Sequence, residues 1–206
     1  MMRMTKRGTI GRRVVAWALL FTVYFLIVVA LQWRANAFRS ELGGTADEPA
    51  HYVTGLLVHD YIASGLPGNP LSYARNFYAH YPKVALGHWP PFFYLVQAAW
   101  TLPFTPSRTS VMLLMAALTA ILATVLCQTI WEEFSLEAGI AAALLFLSLP
   151  VIEESSSMLM SEILLTLLVL LAALAYGRHL DTERWQPAAW FGLWATLALL
   201  TKATGI

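Results

Sequence analysis

The stretch VVAWALLFTVYFLIVVALQW, Val14–Trp33, is 20 residues without a charge. Hydrocarbon solvates neither ions nor open backbone groups, so a run of this length reads as a helix crossing a core of about 30 Å. SVMLLMAALTAILATVLCQTI, Ser110–Ile130, repeats the pattern over 21 residues. Three shorter uncharged runs follow: Ala138–Ile152, Ile163–Gly177 and Trp185–Thr201, of 15, 15 and 17 residues. These sit near or below the ~17-residue minimum for a span, and cross only if flanking residues contribute or the bilayer thins. Trp89–Phe104 is also uncharged, but it holds Pro90, Pro91 and Pro103 and is read as a surface-lying or re-entrant helix. The expected fold is all-α: a polytopic transmembrane helix bundle with juxtamembrane amphipathic helices on its outer face.

Composition agrees. Of 206 residues, 58% are hydrophobic and 12% charged, about half the charge of an ordinary soluble domain. A net charge of +1 offers no basic field for nucleic acid. One cysteine, Cys127, excludes a disulfide framework and a cysteine-rich zinc site, and within its span it reads as an inert buried thiol.

Charge also orients the chain. Arg3, Lys6, Arg7, Arg12 and Arg13 precede the first span with no acid among them, which places that end in the cytoplasm. Ala35-Asn36-Ala37 resembles a signal-peptidase site. The apolar run nevertheless exceeds a signal h-region, so an uncleaved anchor is favoured. If the short Arg178–Arg184 connection is cytoplasmic, four spans lie before it and Trp89–Phe104 does not cross. Residues 34–109 then lie on the outer face.

The outer segment 34–88 is polar but not of disordered composition. It carries His51, His59, His80 and His88, and its charges balance: Arg34, Arg39, Arg75 and Lys83 against Glu41, Asp47, Glu48 and Asp60. Thr45-Ala46-Asp47-Glu48 matches a capping box, with Thr45 as cap, Glu48 reaching back and Pro49 in the first turn. Val53, Leu56, Leu57 and Tyr61 share one helical face, and Gly65 is a natural stop. This predicts an amphipathic helix on the membrane surface; Leu71–Tyr81 suggests a second.

Several polar residues invite a functional reading. Asp47 and Glu48 suit a helix N-terminus, whose dipole favours ionised carboxylates. Glu162 stands at the boundary of an uncharged run, where ionisable groups are costly and mark functional sites. Lys202 ends the last apolar run, either as a snorkelling lysine or as part of a site. By parity both face the same side as Asp47. His88 could join Glu48 or His51 around a divalent cation, but no metal-ligand spacing supports a metal site. No Walker loop, GxGxxG or GxSxG occurs.

Taken in order, the motifs resemble a family. Asp47-Glu48 opens the outer loop, followed by His88-Trp89-Pro90-Pro91-Phe92-Phe93-Tyr94, Ser148-Leu149-Pro150, Ser161-Glu162 and Leu200-Thr201-Lys202. The chain resembles the N-terminal part of a polytopic C-type glycosyltransferase of the protein mannosyltransferase and lipid A aminoarabinose transferase superfamily. The resemblance implies a membrane enzyme, in a bacterial-type inner membrane, that passes a sugar from a polyprenyl-phosphate carrier to an outer-face acceptor with inversion. It makes Asp47 the general base or acceptor-positioning acid and gives Glu162 a second catalytic role, although Ser161-Glu162 departs from the family's usual Thr-Asp. It puts Lys202 near the carrier phosphate. Glu48, His51, Lys83 and His88 are candidate substrate-binding residues, with Arg75 a further candidate cation. Phe92-Phe93 replace the usual Leu-Tyr of the family's Pro-Pro segment. Because Leu-Thr-Lys normally sits mid-protein, the resemblance also implies a truncated chain holding half of an active site. The competing expectation is a non-catalytic multi-span module, such as a transporter subunit or lipid-binding partner. Oligomeric state is not legible.

Overall fold

The computed structural model describes residues 4–42 and 44–203, with side chains from Arg13 onward. Arg3, the side chains of Lys6, Arg7 and Arg12, and the terminal Thr204-Gly205-Ile206 lie outside the described residues. Nine helices and no strand occur among the described residues: α1 (Met4–Arg34), α2 (Glu48–Ala63), α3 (Pro70–His80), α4 (Phe92–Thr101), α5 (Arg108–Glu133), α6 (Leu136–Leu147), α7 (Pro150–Ser156), α8 (Glu162–Thr182) and α9 (Trp185–Leu199).

Among the described residues three helices are long and apolar enough to cross a membrane: Arg13–Arg34, Arg108–Glu133 and Glu162–Thr182. The run Ala138–Ile152 is not one straight helix. It divides into α6 and α7, bent by 70°, and makes a fourth crossing only if the pair acts as one span. Pro150 is the cause. It lacks an N–H and crowds the preceding turn, and it drives Leu149 to an extended ψ of 129°. At 15 residues α9 is about 22 Å long, short of the hydrocarbon core unless its flanks contribute. The 10-residue α4 is far too short to cross.

Helix α5 is the axis of the bundle. Its buried residues run from Ser110 to Cys127, and α1, α4, α6, α7 and α8 all pack on it. Such all-round burial explains why α5 has no apolar stripe. One core gathers α5, α8 and α4 around Met115, Leu122, Ile163 and Phe93. A second joins α1, α5 and α6 through Tyr24, Val28, Ala120, Cys127 and Ala143. Gly139 lets α6 approach α5: a Cβ there would collide with the Cys127 carbonyl oxygen, which is backbone and cannot swing aside. Gly139→Ala is therefore expected to separate α5 from α6 and lower the melting temperature of the detergent-solubilised protein by several degrees. An unchanged melting curve would refute this close contact.

Polar ties converge at one end of the bundle. Gln32, fully buried, donates Nε2 to the carbonyls of Met112 (2.9 Å) and Ser156 (2.7 Å), tying α1 to α5 and α7. Arg108 Nε donates to Ala37 O at 2.7 Å, and Arg34 pairs with Glu153 at 3.4 Å. The Phe92 N–H donates to Leu200 O at 2.9 Å, seating the start of α4 against the end of α9. These contacts join the end of α1 to the start of α5 and to α7, and the start of α4 to the end of α9.

Helices α2 and α3 form a cap over this end. The predicted stripe on α2 exists, but α3 covers it: Val53, Leu56 and Leu57 pack with Phe77 and Val84, and Tyr61 lies 5.2 Å from Tyr73. The opposite, more polar face of α2 is buried as well, carrying Glu48, His51, Thr54 and Gly55. Gly55 fits flush under the Gln97 side chain of α4.

Candidate functional site

The capping box folds differently from its sequence reading. Asp47, not Thr45, is the N-cap residue of α2, and its side chain makes no cap hydrogen bond. Thr45 instead turns its hydroxyl to Met160 Sδ. Glu48 does reach back, but to the N–H of Gly44 (3.0 Å), while its other oxygen accepts from the N–H of Leu159 (3.1 Å). The outer loop is thereby fastened to the α7–α8 connection. Glu48 is 1% exposed, with Arg108 Nη2 3.8 Å from its carboxylate. Such burial is tolerable for a charge only with this set of partners.

Asp47, next in sequence, is exposed. Adjacent residues on a helix point about 100° apart, so one acid is swallowed and the other presented. One turn further on, His51 is 3% exposed. It is stacked on Trp89 at 4.2 Å, set edge-on to Phe93 at 5.7 Å, and its Nδ1 is hydrogen-bonded to the Tyr94 hydroxyl at 2.9 Å.

Burial pushes the His51 pKa below its ordinary range. The negative charges of Glu162 and Asp47 oppose this, and Lys202 reinforces it. Burial also raises the Tyr94 pKa, with the Asp47 charge adding to it. The start of α2, with Asp47 and His51, thus shares an electrostatic neighbourhood with Tyr94, Glu162 and Lys202. Lys202 donates Nζ to Glu162 Oε1 at 2.6 Å. The second carboxylate oxygen, Glu162 Oε2, is buried without a partner.

His51 gains a proton less readily folded than unfolded. Stability from this group is therefore complete above the unfolded pKa of about 6.5, and is lost as pH falls below it. We expect the wild-type protein to lose thermal stability between pH 7.5 and 5 more steeply than His51→Gln. Parallel pH profiles would contradict the buried neutral imidazole.

Other expected residues stay apart. His88 is exposed, its ring edge-on to Trp89 at 4.7 Å. Lys83 and Arg75 are exposed, and no hydrogen bond or ion pair joins either to Asp47, Glu162 or Lys202. Among the described residues no group of three or more His, Cys, Asp or Glu could hold a metal. Sequence reasoning passed over Arg108, and gave Tyr94 only as the end of the His88–Tyr94 motif, without a role at the site. Arg108 had a signal: it borders the uncharged run of α5 just as Glu162 borders that of α8.

Beside Glu48 and Arg108 an open cleft of about 660 Å³ runs between the Ala35–Gly44 loop and α7, with Glu153, Glu154 and Met158 on its far wall. It lies at the same end of the bundle as Glu162 and Lys202, leaving room for a sugar-sized molecule against the loop that carries Asp47.

No curated protein and no solved structure matches the sequence. The family model for dolichyl-phosphate-mannose-protein mannosyltransferase matches residues 88–206, more than half of the chain. That span holds the His88–Tyr94 segment, Arg108, Glu162 and Lys202, while Asp47 and His51 come from the preceding loop. This multi-span membrane protein belongs to the dolichyl-phosphate-mannose-protein mannosyltransferase family of membrane glycosyltransferases.

Proposed function

We propose that the protein moves a sugar from a polyprenyl-phosphate carrier to a hydroxyl-bearing acceptor of the cell envelope, on the outer face of a bacterial-type inner membrane. The reading is supported chiefly by one observation: Lys202 is paired with Glu162 at 2.6 Å at the same end of the bundle as the α2 start that carries Asp47 and His51. The N-terminal arginines, by the positive-inside rule, support the reading of that end as the outer one. The chain would supply the N-terminal part of the membrane module.

The residue types suit a single displacement. The acceptor oxygen forms a bond to the anomeric carbon as the bond to the carrier phosphate breaks, and the phosphate departs with the electron pair. Asp47, exposed at the site, takes the acceptor proton. Phosphate is already a weak base, so it needs a cation more than an acid, and Lys202 is placed to provide one. Glu162 holds Lys202 at 2.6 Å, fixing the ammonium before substrate arrives. Retention through a covalent sugar would require a second carboxylate as nucleophile about 5 Å from the first. Glu162 is already committed to Lys202, which favours inversion. Glu48, His51 and Tyr94 hold the loop and the Trp89 face in place.

The test is transfer from radiolabelled polyprenyl-phosphate sugars by membranes carrying the full-length protein. Lys202→Met is expected to raise the KM for the carrier at least tenfold, about 1.4 kcal/mol of lost binding. Transfer with an unchanged carrier KM would remove Lys202 from the phosphate site. No transfer from any carrier would remove the reading.

A further inference from the structure

The opposite end of the bundle carries a second cleft that sugar transfer does not use. It is about 450 Å³, enclosed by α5, α8, α9 and Trp17 of α1. A smaller cavity of about 220 Å³, lined by Arg13 and Trp131, shares Trp17, Gln128 and Glu132 with it. Four of the chain's eight tryptophans border this pair of cavities: Trp17, Trp131, Trp190 and Trp194. Trp190 and Trp194 stack at 5.5 Å.

We propose that this cleft binds a membrane phospholipid whose headgroup carries both a phosphate and a primary ammonium. Polarity along the cleft follows the order of such a molecule. Glu132 and Gln186 stand at the ends of α5 and α9, Arg178 in the last turns of α8, and Arg13 where the apolar part of α1 begins. Val125 lies seven residues inward of Glu132, and Leu171 seven inward of Arg178. That is about 10 Å along each helix, the step from headgroup to acyl chain. A water-soluble solute would leave the inner apolar wall uncovered. A further apolar helix would bury the charges at the mouth.

Charge narrows the headgroup. Arg178 on the larger cleft and Arg13 on the adjoining cavity favour a phosphate. Glu132, held by Gln128 Nε2 at 3.0 Å, disfavours a purely anionic headgroup and offers an acceptor to an ammonium. Among the described residues neither Arg13, Arg178 nor Glu132 forms an ion pair, so each has charge to offer. A choline headgroup carries the positive charge but has no N–H to donate, so it forfeits the hydrogen bond to Glu132. Tryptophans at this level are typical of the interfacial belt, where headgroups lie.

The full-length protein, delipidated in detergent, would be titrated with phosphatidylethanolamine, phosphatidylcholine and phosphatidylglycerol of matched chains, and retained lipid counted by native mass spectrometry. Phosphatidylethanolamine should be retained about tenfold better than either, the worth of one good charge-assisted hydrogen bond. Glu132→Gln should erase its advantage over phosphatidylcholine. Arg13→Gln/Arg178→Gln should abolish retention of all three. Equal retention of the three lipids by wild type, or undiminished phosphatidylethanolamine binding in the arginine double variant, overturns the proposal. A second arm asks whether protein fills the cleft. Thr129→Cys in the delipidated protein should react with a maleimide and be protected by added phosphatidylethanolamine. A thiol that stays unreactive without lipid overturns the proposal in favour of a protein occupant.

Discussion

Asp47→Asn is expected to lower sugar transfer by about 10²- to 10⁴-fold, the contribution typical of a positioned general base. The amide is nearly isosteric but takes no proton, so the acceptor hydroxyl must attack undeprotonated. The fold should not notice. Asp47 is exposed, its side chain makes no cap hydrogen bond, and its backbone carbonyl still accepts from the His51 N–H at 2.9 Å. Membrane insertion and melting temperature should match the wild type, while transfer from radiolabelled polyprenyl-phosphate sugar falls. Normal transfer in this variant would end the assignment of Asp47. A variant that is inactive and also unstable would mean that Asp47 is structural after all.

Glu48→Ala gives the opposite pattern, one residue away. It strips a 1%-exposed carboxylate from the N–H groups of Gly44 and Leu159 and from the neighbouring guanidinium of Arg108. Breaking one side of such a buried charged network costs about 3 kcal/mol or more. Thermal unfolding in detergent should register that loss, and proteolysis of the outer loop should accelerate as it detaches from the α7–α8 connection. Glu48→Gln keeps an acceptor oxygen and should recover part of the stability. Were Glu48→Ala as stable as wild type, the loop would not be fastened here. Adjacent acids in one motif thus separate into an exposed one, proposed to do the chemistry, and a buried one that fastens the loop.

The division could not be read from the chain. Asp47-Glu48 has the composition of a helix N-terminus whichever acid faces inward. Orientation depends on what packs against α2, and that is Leu159 from a segment more than a hundred residues away. The capping box misled for the same reason: Gly44 lies close against Met158 and Glu48, so Glu48 takes the Gly44 N–H in place of the Thr45 cap. His51 offered even less. A lone histidine on a helix carries no signal until Trp89, Phe93 and Tyr94 close around it.

Sequence by itself determined that this chain is an all-helical, multi-span membrane protein, and roughly where its longest apolar helices run. Those properties follow from uncharged runs, which are local matters of solvation. Tertiary structure alone decided the break at Pro150 as a 70° bend, the covering of α2 by α3, and the choice between Asp47 and Glu48. Each of these turns on which surfaces meet, and a hydropathy pattern says how much surface must be buried without naming its partner.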